Sequence, residues 1–256
     1  MRQIRRSLGS TVAVVLLLAL ATACSSRGGA NDPILRLSAA ESLAEGKRLF
    51  ERERYSSARP YFAHAFEVEP NSAAGREALL LVADTLFMEG SDADLIQAEA
   101  KYRDFQNRFP TSDRAAYVQY KIAAALTKRM GRPDREQDAT RKAQVALEDL
   151  LRLYPTSDYA DEARDELAKV KKNLAEHEYL VGKFYLRYGL TPAAIARLEG
   201  LLEKYPDYDE QAKALYTLGL AYRSAKRADD AQATFSKLRD DFPESEYTRK
   251  IPGRAK

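Results

Sequence analysis

From residue 38 onward, apolar side chains recur at three- and four-residue intervals in stretches divided by short polar turns, the period of helices with one buried face. No run of alternating β-branched residues, the mark of a half-buried strand, is sustained after residue 24. The helical stretches also end alike. A proline follows an aromatic or apolar position at Val68-Glu69-Pro70, Phe109-Pro110, Tyr154-Pro155, Tyr205-Pro206 and Phe242-Pro243, at spacings of 40, 45, 51 and 37 residues. Proline cannot continue a helix, so these five places punctuate an internal repeat.

Within the repeat, small and aromatic positions keep fixed offsets. In the last unit Leu218-Gly219, Tyr222, Ala231, Phe235 and Pro243 stand where a tetratricopeptide repeat has its own, with Gly219 and Ala231 twelve apart. The first unit has Gly46, Ala58, Phe62 and Pro70 at these offsets, and the fourth has Gly182, Tyr185, Ala194, Leu198 and Pro206. The small residues have a physical reason: two helices of an antiparallel hairpin approach closely only where neither carries bulk, and the larger side chains fill the space on either side. Units two and three keep the second-helix part, as Ala98, Tyr102, Pro110 and as Ala143, Leu147, Pro155. The pattern predicts an all-α fold, a tetratricopeptide-repeat solenoid of five helix-turn-helix units at about residues 38–71, 72–111, 112–156, 157–206 and 207–245, within one domain over 35–256.

Local signals refine this layout. Ser38 with Glu41 and Asp207 with Glu210 have capping-box spacing, and Thr191-Pro192 sets a cap residue before a proline at the first helical position. Gly131-Arg132-Pro133-Asp134 breaks a helix and lengthens unit three. Between Ser157 and Tyr188 the only glycine or proline is Gly182, so one long helix, or two nearly continuous ones, accounts for the 51-residue spacing.

The first residues follow a different pattern. Arg2, Arg5 and Arg6 precede an apolar run from Val12 to Leu20, and small residues lead into Cys24. The run is well short of the roughly 20 residues of a membrane span, and the layout is that of a secretory signal over residues 1–23. Leu20-Ala21-Thr22-Ala23-Cys24 resembles a bacterial lipobox, which implies that Cys24 is acylated and becomes the new N-terminus. In lipoproteins that this resembles, an aspartate after the cysteine favours the inner membrane, so Ser25 points to the outer membrane. The small, polar, Gly-rich stretch that follows, with 24–34 as anchor and tether, should be flexible.

Charge changes the picture little. The formal net charge of +3 falls to 0 once residues 1–24, with three arginines and no acids, are removed, so no nucleic-acid partner is expected. Cys24 is the only cysteine, which excludes an intrachain disulfide. His64 and His177 have no second histidine or cysteine at metal-ligand spacing, and no metal is expected. There is no nucleophile elbow, phosphate-binding glycine loop or HExxH motif, and neighbours such as Asp161 and Glu162 diverge on a helix. The chain reads as a non-enzyme with no cofactor beyond the covalent lipid on Cys24.

Two segments are more specific. One is Arg132-Pro133-Asp134-Arg135-Glu136-Gln137-Asp138 with the turn Tyr154-Pro155-Thr156-Ser157-Asp158-Tyr159-Ala160. The other is His177-Glu178-Tyr179-Leu180-Val181-Gly182-Lys183-Phe184-Tyr185 followed by Ala193-Ala194-Ile195-Ala196-Arg197. Both resemble the BamD family, lipoprotein subunits of the machinery that inserts β-barrel proteins into the outer membrane. The resemblance implies a scaffold on the periplasmic face whose N-terminal repeats hold unfolded barrel substrates and whose C-terminal repeats dock on the barrel-forming subunit, with other assembly lipoproteins as further partners.

Tyr61, Tyr117 and Tyr120 are candidates to line the substrate groove, since aromatic rings give rigid contact area, although tyrosine also commonly packs between helices. Arg197 should sit beside the apolar stripe Ala194, Leu198, Leu201 with its guanidinium near solvent, free to meet a partner carboxylate. The resemblance places Arg187 and Tyr188 in the same partner-binding surface. Two other classes compete with the assembly scaffold: a periplasmic repeat lipoprotein coordinating envelope constriction or wall synthesis, and a wall-active enzyme. The former often carries a coiled coil before its repeats, and residues 25–37 are too short and Gly-rich for one.

Overall fold

A computed structural model of the chain describes residues 32–253, which are all-helical with no strand among them. The expected signal, the acylation of Cys24 and the tether up to Asn31 lie outside the described residues. The helices are α1 (Ala39–Phe50), α2 (Tyr55–Val68), α3 (Ala73–Glu89), α4 (Asp92–Arg108), α5 (Ala115–Lys128), α6 (Asp138–Leu153), α7 (Ala160–Arg187), α8 (Thr191–Lys204), α9 (Gln211–Ser224), α10 (Ala228–Asp241) and the single turn α11 (Glu246–Arg249). From α1 to α10 each helix packs on the next, which makes five successive antiparallel pairs. Tetratricopeptide character is carried by that order together with the small residues at the crossings. A Cβ on Gly46 would lie 2.5 Å from the Phe62 ring, one on Gly182 would lie 2.8 Å from Leu198, and one on Gly219 would press closer still on Phe235. Glycine at these crossings therefore lets the second helix bury a large side chain against the first backbone.

The core divides into three clusters. The first joins α1, α2 and the start of α3 around Phe62, Leu43 and Leu49. The second fills α3 to α6 and the first half of α7, with Tyr102, Ile122, Leu126, Leu147 and Val170. The third runs from Ala175 and Tyr179 through α8, α9 and α10. Helix α7, 28 residues and about 42 Å long, is the strut shared by the last two. The link between α5 and α6 is fastened to it: Asn173 Nδ2 donates to the Gly131 carbonyl at 2.9 Å, and His177 Nδ1 lies 2.7 Å from the Pro133 carbonyl. His64 likewise holds the Leu37 carbonyl, 3.0 Å from its Nε2. Both histidines are framework hydrogen bonders.

The helix ends agree with the sequence at one cap and differ at two. Ser38 and Glu41 form the full capping box of α1. Asp207 caps nothing: α9 begins at Gln211, after Glu210 and with no side-chain cap, because the buried Tyr208 holds residues 205–211 in turns. Thr191 is the first residue of α8 and not its cap, a position taken by Leu190, while the Thr191 hydroxyl lies 3.3 Å from Ser224 Oγ. The end of the expected tether also carries structure, since Pro33–Arg36 forms a 3-10 turn whose first N–H groups are met by Asp32.

Candidate functional site

Two surfaces bring together the chemistry anticipated from sequence. The first centres on α5. Asp84 stands in the apolar run of α3 and is buried, and its Oδ1 accepts from the Tyr102 hydroxyl at 2.5 Å and the Tyr117 hydroxyl at 2.7 Å. Burial pushes the Asp84 carboxyl above its ordinary value, against the pull of the two hydroxyls and of Lys121 and Arg114. Burial likewise raises both tyrosines, helped by the charge of Asp84. Lys121 Nζ lies 3.8 Å from the Phe87 ring centre and Lys128 Nζ 4.2 Å, so two ammonium groups share one aromatic ring. Desolvation lowers the Lys121 pKa. Arg114 stacks 5.0 Å over Tyr117.

Tyr120 extends this surface. Its ring stacks on Tyr159 at 4.9 Å, Tyr159 also meets Tyr117 at 5.8 Å, and the Tyr120 hydroxyl donates to Glu162. Tyr117 and Tyr120 thus belong to one strip of half-buried rings edged by cations. Tyr61 does not join it: it lies on α2 against the first cluster, in a different part of the array. Sequence reasoning missed Asp84, Phe87 and Lys121. The available signal was an acid within Leu79–Leu86, since a carboxylate in a buried helix must find donors. Such a strip can hold an extended segment through ring contacts and the cationic edge.

The second surface lies where α7 turns into α8. Phe184, Tyr188 and Leu190 are each more than half exposed, and the Phe184 and Tyr188 rings meet at 4.6 Å. Gly189, with φ of +74°, reverses the chain so that the Leu190 N–H donates to the Tyr185 carbonyl at 2.9 Å. Arg187 is exposed at the same end. Across the turn Arg197 is half exposed, and its Nη1 already pairs with Glu178 of α7 at 2.9 Å, an interaction that raises the guanidinium's pKa. The groove beside this pair is lined by Glu178, Tyr185, Ala193, Arg197, Gly200 and Lys204. Tyr185 connects it to the apolar patch through its edge contact with Phe184. Contiguous exposed rings beside an arginine are the chemistry of a protein-docking surface. Phe184 and Leu190 had not been singled out from sequence, because helical period alone does not show where a neighbouring helix stops covering α7.

Among the described residues no group of three or more His, Cys, Asp or Glu could hold a metal ion, and no helix is long and apolar enough to cross a membrane. A family model described as an outer membrane lipoprotein, YfiO, matches residues 37–226, and a tetratricopeptide-repeat model matches 213–245. Similar curated proteins bear the name Outer membrane protein assembly factor BamD. That of Caulobacter vibrioides is 27% identical, covering 91% of this chain and 76% of its own. That of Rickettsia prowazekii is 25% identical over 88% of this chain and 87% of its own, and that of Haemophilus influenzae 28% over 83% and 82%. The family match takes in both surfaces and every helix from α1 to α9, and the chain belongs to the YfiO family of outer membrane lipoproteins.

Proposed function

We propose that this chain is a scaffold subunit of the outer-membrane β-barrel assembly machinery, anchored by lipid on Cys24 at the periplasmic face. The observation that carries the reading is the family match over residues 37–226, joined by relatives named as outer membrane protein assembly factors. In this reading the α5 strip with Tyr117, Tyr120 and Lys121 holds segments of unfolded barrel proteins. The surface of Arg187, Tyr188 and Arg197, enlarged by Phe184 and Leu190, docks the barrel-forming subunit. In this reading both tasks are binding tasks that need no reaction, cofactor or metal, in keeping with a fold and family of scaffold type.

Depletion of the chain in its own organism, with quantitation of outer-membrane barrel proteins, tests the reading. Barrel proteins should fall several-fold while other outer-membrane lipoproteins persist, and the barrel-forming subunit should copurify with the chain from detergent-solubilised membranes. Unchanged barrel levels, or copurification with wall-synthesis proteins alone, would overturn it. Mass spectrometry of the membrane-extracted protein should find an acylated N-terminal Cys24, and an unmodified cysteine there would remove the anchor from the proposal.

A further inference from the structure

The last repeat exposes a face that the preceding repeat covers. Gly182, Ala194 and Leu198 of the fourth unit correspond to Gly219, Ala231 and Phe235 of the fifth, each 37 residues later. In the fourth unit, Thr191, Ile195 and Leu202 of α8 pack towards the next helix, and the exposed Glu199 stands at its edge. Thr191 reaches Ser224 of α9, the Tyr222 hydroxyl donates to Glu199, Ile195 is buried, and Leu202 packs on the shared core. Adding 37 gives Ala228, Gln232, Ser236 and Arg239 of α10. These four line an open groove of about 680 Å³ with Phe235 at its floor and Arg223 on its wall. Ala228 and Gln232 are exposed where Thr191 and Ile195 are buried, Arg239 is exposed where Leu202 is half-buried, and among the described residues Ile251, Pro252 and Gly253 border the groove without filling it.

Its charge is one-sided. Arg223 and Arg239 line the groove and no carboxylate does. Among the described residues neither guanidinium makes a hydrogen bond or ion pair, whereas the neighbouring Arg227 is held by Asp230 and Lys237 by Asp241. A lone exposed arginine is unremarkable. Two of them flanking an apolar floor, at a position the repeat geometry reserves for a helix, define a complementary occupant.

We propose that this groove takes a helix of another protein, apolar on one face and carrying carboxylates that reach Arg223 and Arg239, laid where the first helix of a following repeat would lie. This is helix-in-groove recognition with the array supplying the template. It is independent of the docking assigned to the α7–α8 surface.

The test uses the full chain in its native membrane with a photo-crosslinking amino acid at Gln232 and, as control, at the exposed Ala233, which does not line the groove. Position 232 should crosslink to a different protein, within a helical segment bearing at least two acidic residues, and position 233 should not. The yield should fall at least tenfold in R223E/R239E, and should return when the mapped acids are changed to lysine. Should the double reversal shift the thermal midpoint, R223Q/R239Q is read instead with the same expectation of loss. Crosslinks only to a second copy of this chain, only to lipid, or to nothing would overturn the proposal, as would a crosslink indifferent to the arginine changes.

Discussion

Units two and five solve the same packing problem by opposite means. In unit five the helices close over a glycine: Gly219 leaves room for Phe235, and the contact is apolar throughout. In unit two the position twelve before Ala98 is Leu86, a full-sized buried residue, and the side chain opposite is Tyr102, fully buried with its hydroxyl on Asp84. Unit five relies on steric fit, while unit two buries a carboxylate and satisfies it from two helices. The difference teaches that the repeat motif fixes which positions meet at the crossing, and leaves both the volume placed there and its polarity open. Steric closure specifies the pair locally, whereas the Asp84 network ties α3 to α4 and α5 at once, linking unit two to unit three.

The largest effect should come from overfilling the glycine crossing. Gly219→Leu is expected to destabilise by about 1 to 3 kcal/mol, because extra methylenes in a packed crossing force off-rotamer side chains or a backbone shift. Ala231→Leu should act in the same sense. Phe235→Ala in the Gly219→Leu background should recover part of the loss, since the new side chain can enter the vacated ring space, and denaturant midpoints of the three variants read this coupling. A neutral Gly219→Leu would break the comparison at its steric end.

The polar end is probed by Tyr102→Phe, which removes one of the two donors to Asp84 and should cost about 1.5 to 2 kcal/mol, at the low end of the range for hydrogen bonds to a charged group because the Tyr117 hydroxyl remains. Asp84 also gives a pH signature. Its folded-state pKa lies above the ordinary value of 3.8, so between those two values the folded chain holds more proton than the unfolded chain, and stability falls as pH rises through that window. Asp84→Asn should flatten this segment of the stability-against-pH curve measured by urea denaturation. An unchanged slope would mean that the two hydroxyls and the nearby cations fully offset the burial of the carboxylate.

These two ends were unequally legible in the sequence. The glycine crossing is a constraint at fixed offsets of twelve and sixteen residues, so three copies of it disclosed the repeat, and the long unbroken stretch disclosed α7. The Asp84 network joins residues 18 and 33 positions apart on three helices, and no local period reports it. Gly75 was missed for a related reason: a Cβ there would run into the backbone carbonyl of Glu69, a contact set by the turn between α2 and α3. At Asp207 a sound local rule lost to tertiary burial of the next residue, Tyr208. Of the candidate site, the placement of Arg187, Tyr188 and Arg197 near one turn came from family resemblance, while the intrachain partner of Arg197 required the folded chain.

That partner sharpens the remaining contrast, between a carboxylate buried in unit two and a charge pair left at the surface of unit four. Arg197 and Glu178 are both solvent-accessible, with side chains 47% and 23% exposed, so breaking the pair should change stability by only about 0 to 1 kcal/mol. Arg197→Glu should therefore leave the thermal midpoint nearly in place while weakening copurification of the barrel-forming subunit. The single reversal is ambiguous alone, because it also frees Glu178 and sets two carboxylates side by side. The exchange Arg197→Glu with Glu178→Arg restores the intrachain pair but moves the cation from α8 to α7. If the partner reads the guanidinium at position 197, copurification stays low in the exchange as it does in the single variant, and Phe184→Ala lowers it through the adjoining apolar patch. Recovery in the exchange would assign Arg197 to holding α8 against α7, and the docking contact would then rest on Phe184, Tyr188 and Leu190 alone.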